Sequence, residues 1–331
     1  MSDILFCGTD ISGFYQGAYD HSRSYQTNSL AELEPDILGL QSWYDYVGKI
    51  DFNDYGLIWL HLNPRIMFPP WFMFPALVKR IAPDVPVIVK HEWWEKYHSE
   101  PIPDIIRKYI RYADYLHTNT AVGRDVLEEN FDIPVLYLHI GQPRLDDMIW
   151  PKTLPWKERE GIFTIQHTSK DSMIRKFEIG EMTGLPMTVI NSEPFTDGHR
   201  LQDLGDAIGA DANCYGRMEW VSYADKMRRC RVALDIDYVG ICRMAYECSR
   251  VSVPVVGTNL MEYQNMLYPK LVFDPDDVEG MTAKILEIHN GPVPKALNRR
   301  ASKVRREYWS KEACRERLFQ LFEEVGYEYE S

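Results

Sequence analysis

The sequence predicts an α/β chain of two domains, each a parallel sheet with helices on both faces. Strand-like apolar runs alternate with helix-like amphipathic runs through both halves. The alternation breaks once, at a proline-rich and charged stretch near the middle. A length of 331 residues, 45% of them hydrophobic, suits two such cores better than one.

In the first half, residues 3–7, 56–62, 85–90, 115–118 and 135–138 read as strands, short and rich in Ile, Leu and Val. Residues 70–81, 104–112 and 122–131 read as the intervening helices. The first opens on prolines, which a first helical turn tolerates because its N–H groups have no intrahelical acceptor. After Gly141 come Pro143, Trp150-Pro151, Leu154-Pro155 and the charged run 157–160, which reads as an exposed connection. A first domain over 1–150 and a second over 151–308 follow from it. The second half restarts with strands at 161–166, 187–191, 232–236 and 253–256, and helices at 174–183, 222–229, 242–250 and 278–289. Residues 309–331 read as a terminal helix, expected to cross back to the first domain.

Composition narrows the function classes. The first residues run directly into a strand with no basic leader, so a cytoplasmic setting is expected. The most apolar stretch, 66–78, holds three prolines and falls short of the roughly 20 residues that span a bilayer. Six cysteines are scattered without a C-x-x-C pair, which points to free thiols and away from structural zinc. A net charge of -12 disfavours a polyanionic partner. The segment 295–306 runs the other way, with six basic residues and no acidic one. As a helix it sets Arg299, Lys303 and Arg306 on one face, a candidate nucleic-acid contact; a solvated basic helix is the alternative.

The most informative stretch runs from Trp220 to Asp276. Arg231-Val-Ala-Leu-Asp-Ile-Asp237 reads as a strand, and Asp237, Tyr238 and Gly240 occupy the turn after it. A helix follows that contains Arg243 and Glu247, and then Val253-Pro-Val-Val-Gly-Thr258. A helix that starts just beyond a glycine turn presents unpaired N–H groups, which attract a phosphate or diphosphate. A carboxylate one turn further in suits the two hydroxyls of a ribose.

This ordered set resembles the donor half of the GT-B glycosyltransferases, in the large family that includes the sucrose and glycan-chain synthases. Glu247 matches the family's ribose-binding glutamate, Val253-Pro-Val-Val the strand after it, and Leu271-Val-Phe-Asp-Pro-Asp-Asp the stretch before the next helix. Tyr308-Trp-Ser-Lys-Glu-Ala is similar to the closing segment. One departure is that the acidic residue of the family pattern, eight positions before the ribose glutamate, is here Val239, with Asp237 two residues earlier. The resemblance implies two facing Rossmann-like domains and transfer of a sugar from a nucleoside-diphosphate sugar, a UDP-sugar first. It implies no further cofactor and no metal.

Within that frame His167, Lys170 and Arg175 follow the first strand of the donor half, where cations hold the leaving diphosphate. Gly13 and Asp10 lie in the loop after the chain's first strand, and His91 and Glu92 follow the strand at 85–90. Asp10, His91 and Glu92 are the candidates for the reacting end, and Trp93 and Trp94 are available to stack on an acceptor. The acceptor stays open: a glycan, a small molecule or, as in some phage enzymes, a DNA base. Two other readings stand beside this one. They are a sugar-nucleotide epimerase of the same architecture and a noncatalytic nucleotide- or nucleic-acid-binding protein.

Overall fold

The computed structural model describes residues 4–8, 36–39, 50–62, 73–91, 97, 100–138, 149–166, 170–191, 198–216, 218–236 and 243–328. The chain divides into two compact units. One comprises 1–147 with 308–331, the other 148–307.

The first unit holds β1 (Ile4–Gly8), β2 (Asp36–Gly39), β3 (Leu57–Leu62), α1 (Phe74–Ile81), β4 (Val87–His91), α2 (Asp104–Ile110), β5 (Tyr115–Thr118), α3 (Ala121–Asn130) and β6 (Val135–Tyr137). Its strands pair in the order β2-β1-β3-β4-β5-β6, all parallel. Successive side chains leave opposite faces of a strand, and both faces here are apolar. Ile58, Leu60, Val87 and Val89 join one core with Phe74, Val78, Ile106 and Val126 of α1, α2 and α3. Leu57, Trp59 and Ile88 join the other core with Leu318, Leu321 and Phe322 of the chain's last helix. Thr120 caps α3 by accepting the Gly123 N–H, one of the donors a helix start leaves without a partner.

The second unit runs through β7 (Ile162–Gln166), α4 (Lys170–Thr183), β8 (Met187–Asn191), α5 (Gly198–Ile208), β9 (Ala212–Tyr215), α6 (Trp220–Arg229), β10 (Val232–Asp235), α7 (Arg243–Arg250), β11 (Val255–Thr258), α8 (Glu262–Leu267), β12 (Val272–Phe273), α9 (Val278–Asn290) and α10 (Lys295–Trp309). The helix that returns to the first unit is α11 (Lys311–Glu324), capped by the Ser310 hydroxyl on the Ala313 N–H. The second sheet is parallel, with order β12-β11-β10-β7-β8-β9.

The α/β class, the parallel sheets and most of the elements agree with the sequence reading. Helix α4 begins at Lys170, four residues before the apolar periodicity predicts, and β2, α5, β9, α8 and β12 have no counterpart in the sequence reading. Helix α5 carries glycines at 198 and 205, which weaken a helical pattern. Gly205 is there for packing, since a Cβ at that position would come within 3.1 Å of the Phe177 ring. Among the described residues no helix is long and apolar enough to cross a membrane.

Candidate functional site

Counted from its own first strand, the second sheet has the order 3-2-1-4-5-6, so the chain winds away from β7 and β10 in opposite directions. Ligands of such sheets bind beyond the carboxyl ends of the two strands where the order reverses. Here those ends are Gln166 of β7 and Asp235 of β10. The ladder between them is short, pairing Val232 with Ile162 and Ala233 with Phe163.

Past that pair, side chains link the strands. The Thr164 hydroxyl donates to the Leu234 carbonyl at 2.7 Å. The Lys176 ammonium, buried on α4, donates to the Ile165 carbonyl at 2.8 Å and lies 3.7 Å from the buried Asp235 carboxylate. On the far side of β10, Gly257 registers with Asp235, and a Cβ there would approach the Asp235 carbonyl to 2.8 Å. The crevice floor is thus held by a buried ion pair and by a glycine that admits close backbone approach.

Helix α7 begins just past this edge. Met244, Ala245, Tyr246, Glu247 and Cys248 are all buried, so the helix has little solvent-facing surface. Glu247 is only 2% exposed and accepts a 2.6 Å hydrogen bond from the Tyr223 hydroxyl of α6. Tyr223 packs edge-on to Phe163 of β7 and beside Trp220. A carboxylate held inside by a phenol is not the solvated surface group that the residue type alone suggests. The sequence places Tyr223 only within the helix at 222–229; a tyrosine there, needing a partner for its hydroxyl, is the available signal.

Arg175 of α4 is engaged elsewhere, with its guanidinium 2.8 Å from the Asp276 carboxylate and donating to the Pro275 carbonyl at 3.1 Å. It ties α4 to the segment between β12 and α9. Lys170 and Arg243 are the first residues of α4 and α7, the two helices that follow the paired strand ends. In the first sheet His91 closes β4 opposite Leu62 of β3, and Gly8 of β1 registers with His61. Asp10, Gly13, Glu92, His167, Asp237, Tyr238 and Gly240 lie outside the described residues. Arg299, Lys303 and Arg306 are exposed on α10, and Lys303 is 3.8 Å from Glu307, the acid just beyond the basic segment. Among the described residues no cluster of His, Cys, Asp and Glu side chains is arranged to hold a metal.

No protein-family model matches the sequence, and no curated protein matches it. Solved structures do. The N-terminal domain of a Candida albicans trehalose-6-phosphate phosphatase superposes with a TM-score of 0.67 at 11% identity, over 97% of this chain and 96% of that one. A UDP-forming α,α-trehalose-phosphate synthase from Burkholderia xenovorans gives 0.66 at 12% identity, over 99% and 100%. The lipopolysaccharide outer core galactosyltransferase WaaB gives 0.64 at 12% identity, over 97% and 99%. Likeness of this kind at such low identity speaks for the fold. The chain therefore has the GT-B glycosyltransferase fold, two parallel α/β sheets in one polypeptide.

Proposed function

We propose that the chain is a glycosyltransferase that takes a nucleoside-diphosphate sugar, a UDP-sugar first, on its second unit and passes the sugar to an acceptor. The observation that carries this reading is Glu247, a buried and oriented carboxylate on the helix after β10, beside the switch point of a GT-B fold. A carboxylate accepts up to about four hydrogen bonds, of which the Tyr223 bond takes one and orients the group.

In this reading Lys170 and Arg243, at the starts of the two helices, neutralise the diphosphate, which gains charge as its bond to the anomeric carbon breaks. The acceptor oxygen forms the new bond to that carbon. Its proton passes to Asp10, His91 or Glu92, or to the departing phosphate. Arg175, paired with Asp276, has a smaller part than its position in the sequence suggests. No metal is needed, because helix starts and cations meet the diphosphate.

The test is a thermal-shift screen of UDP-, GDP- and ADP-sugars on wild type and Glu247→Ala. One sugar nucleotide should raise the melting temperature of wild type and leave the variant unmoved. No shift with any of them, or an equal shift in the variant, removes the proposal. Transfer of labelled sugar to glycans, small alcohols and duplex DNA then separates the acceptors, and the product mass separates hexose from pentose. Release of an epimerised sugar nucleotide without acceptor would instead indicate the epimerase.

A further inference from the structure

The second unit contains a cavity of about 350 Å³ at the opposite edge of its sheet, where the strands begin. Arg159 enters it from just before β7, Ser252 from just before β11, and Lys295, Asn298 and Arg299 from the first five residues of α10. We propose that this cavity is a binding site for a small phosphomonoester, separate from the switch-point crevice.

Charge is the first argument. The whole chain carries -12, yet the cavity lining holds three cations and no aspartate or glutamate. Arg159 is 3% exposed and spends two nitrogens on carbonyls, Nε on Leu154 at 2.9 Å and Nη1 on Ser252 at 2.9 Å. Burial pulls its pKa down, the Cys230 thiol works against this, and the neighbouring Arg228 adds to the lowering. A second guanidinium, Arg231, lies 5.6 Å from the ring of Trp156, which also faces Arg159 at 5.9 Å. Lys295 and Arg299 are exposed and have no carboxylate partner among the described residues. They stand in the first five residues of a 15-residue helix, whose positive end adds to the same field.

The backbone is the second argument. Ser252 has φ 57, the left-handed region, where a residue with a Cβ is disfavoured. The Ser252 carbonyl is held by Arg159 and by the Asn298 amide at 3.2 Å, and these bonds keep the turn in place at the cavity wall. Strain maintained by a surrounding hydrogen-bond network is a feature of binding sites.

Size and wall select the ligand. Cations that line one cavity from two segments fit an oxyanion with several terminal oxygens better than a carboxylate with two. The volume lies at the lower end of small-ligand sites, and Trp156 lends it an apolar wall, so the phosphate is expected to carry an organic group.

The experiment is calorimetric titration of the full chain with phenyl phosphate, with inorganic phosphate and phenol as separate arms. Phenyl phosphate should bind wild type and Lys170→Ala alike, and about tenfold or more weaker to Lys295→Ala/Arg299→Ala, whose exposed positions leave the fold intact. Melting curves of the variants confirm that point. Absence of binding, binding unchanged in the double variant, or loss in Lys170→Ala overturns the site. Inorganic phosphate binding as tightly as phenyl phosphate overturns the ester. No arm uses a sugar nucleotide, and the Lys170→Ala arm separates this cavity from the proposed diphosphate site.

Discussion

The Tyr223 hydroxyl on the Glu247 carboxylate joins a half-buried side chain to a buried one, and its removal is measurable. Tyr223→Phe should lower stability by about 1.5–3 kcal/mol, read from the shift of a urea unfolding midpoint. Lys176→Met leaves Asp235 as a buried charge without its cation, and a loss of about 3–5 kcal/mol is expected. Replacing both residues by apolar ones should recover much of it. Asp225 offers a pH test. Burial works against its charge, but bonds and attraction from Arg229 and Arg228 outweigh that and hold its pKa below the usual aspartate value. A carboxyl whose folded pKa is depressed stabilises the protein above its unfolded pKa and loses that contribution as pH falls through the folded one. Asp225→Asn should therefore be less stable than wild type at neutral pH, by under about 1 kcal/mol because the pair is partly exposed, and equal to it in strong acid. At this scale the sequence disclosed Glu247 through the motif around it but not its burial. It pointed to Arg175 as a free cation, whereas Asp276, 101 positions along the chain, meets its charge.

Elements were legible where their periodicity was strong. Helix α7 and strands β10 and β11 follow from apolar runs bounded by turn residues. Strand β9, Ala-Asn-Cys-Tyr, gave no such signal, because an edge strand buries only part of its surface. Gly257 shows what an element requires of its neighbour. It lies where β11 passes the end of β10, and Gly257→Ala would push a methyl group into the Asp235 carbonyl. The expected cost is about 1–3 kcal/mol by chemical denaturation. Loss of any sugar-nucleotide shift in the same variant would tie that close approach to the crevice.

The last helix matters for the first unit as a whole. Among the described residues, Leu318, Leu321 and Phe322 pack with Val325 and Tyr327 on the face of the first sheet that carries Leu57, Trp59 and Ile88. Leu318→Ala should cost about 2–5 kcal/mol in that unit. Amide exchange followed by mass spectrometry should show faster exchange in β1, β3 and β4 and unchanged exchange in β7 and β10. Equal acceleration in both units would mean that they unfold as one.

Alternating apolar runs were enough to establish the α/β class and the presence of a strand before Glu247 and a helix around it. Those properties are local, because the spacing of buried residues within one element follows from the geometry of that element. Strand order is not local. The same runs are compatible with several orders, and only the assembled sheet places β7 beside β10, with Thr164 reaching a carbonyl 70 residues away. The crevice, the buried Lys176 and Asp235 pair, the enclosure of Glu247 and the cation-lined cavity at the opposite edge all depend on that long-range arrangement. Each joins side chains that distant segments bring together, so no pattern within one segment could reveal it.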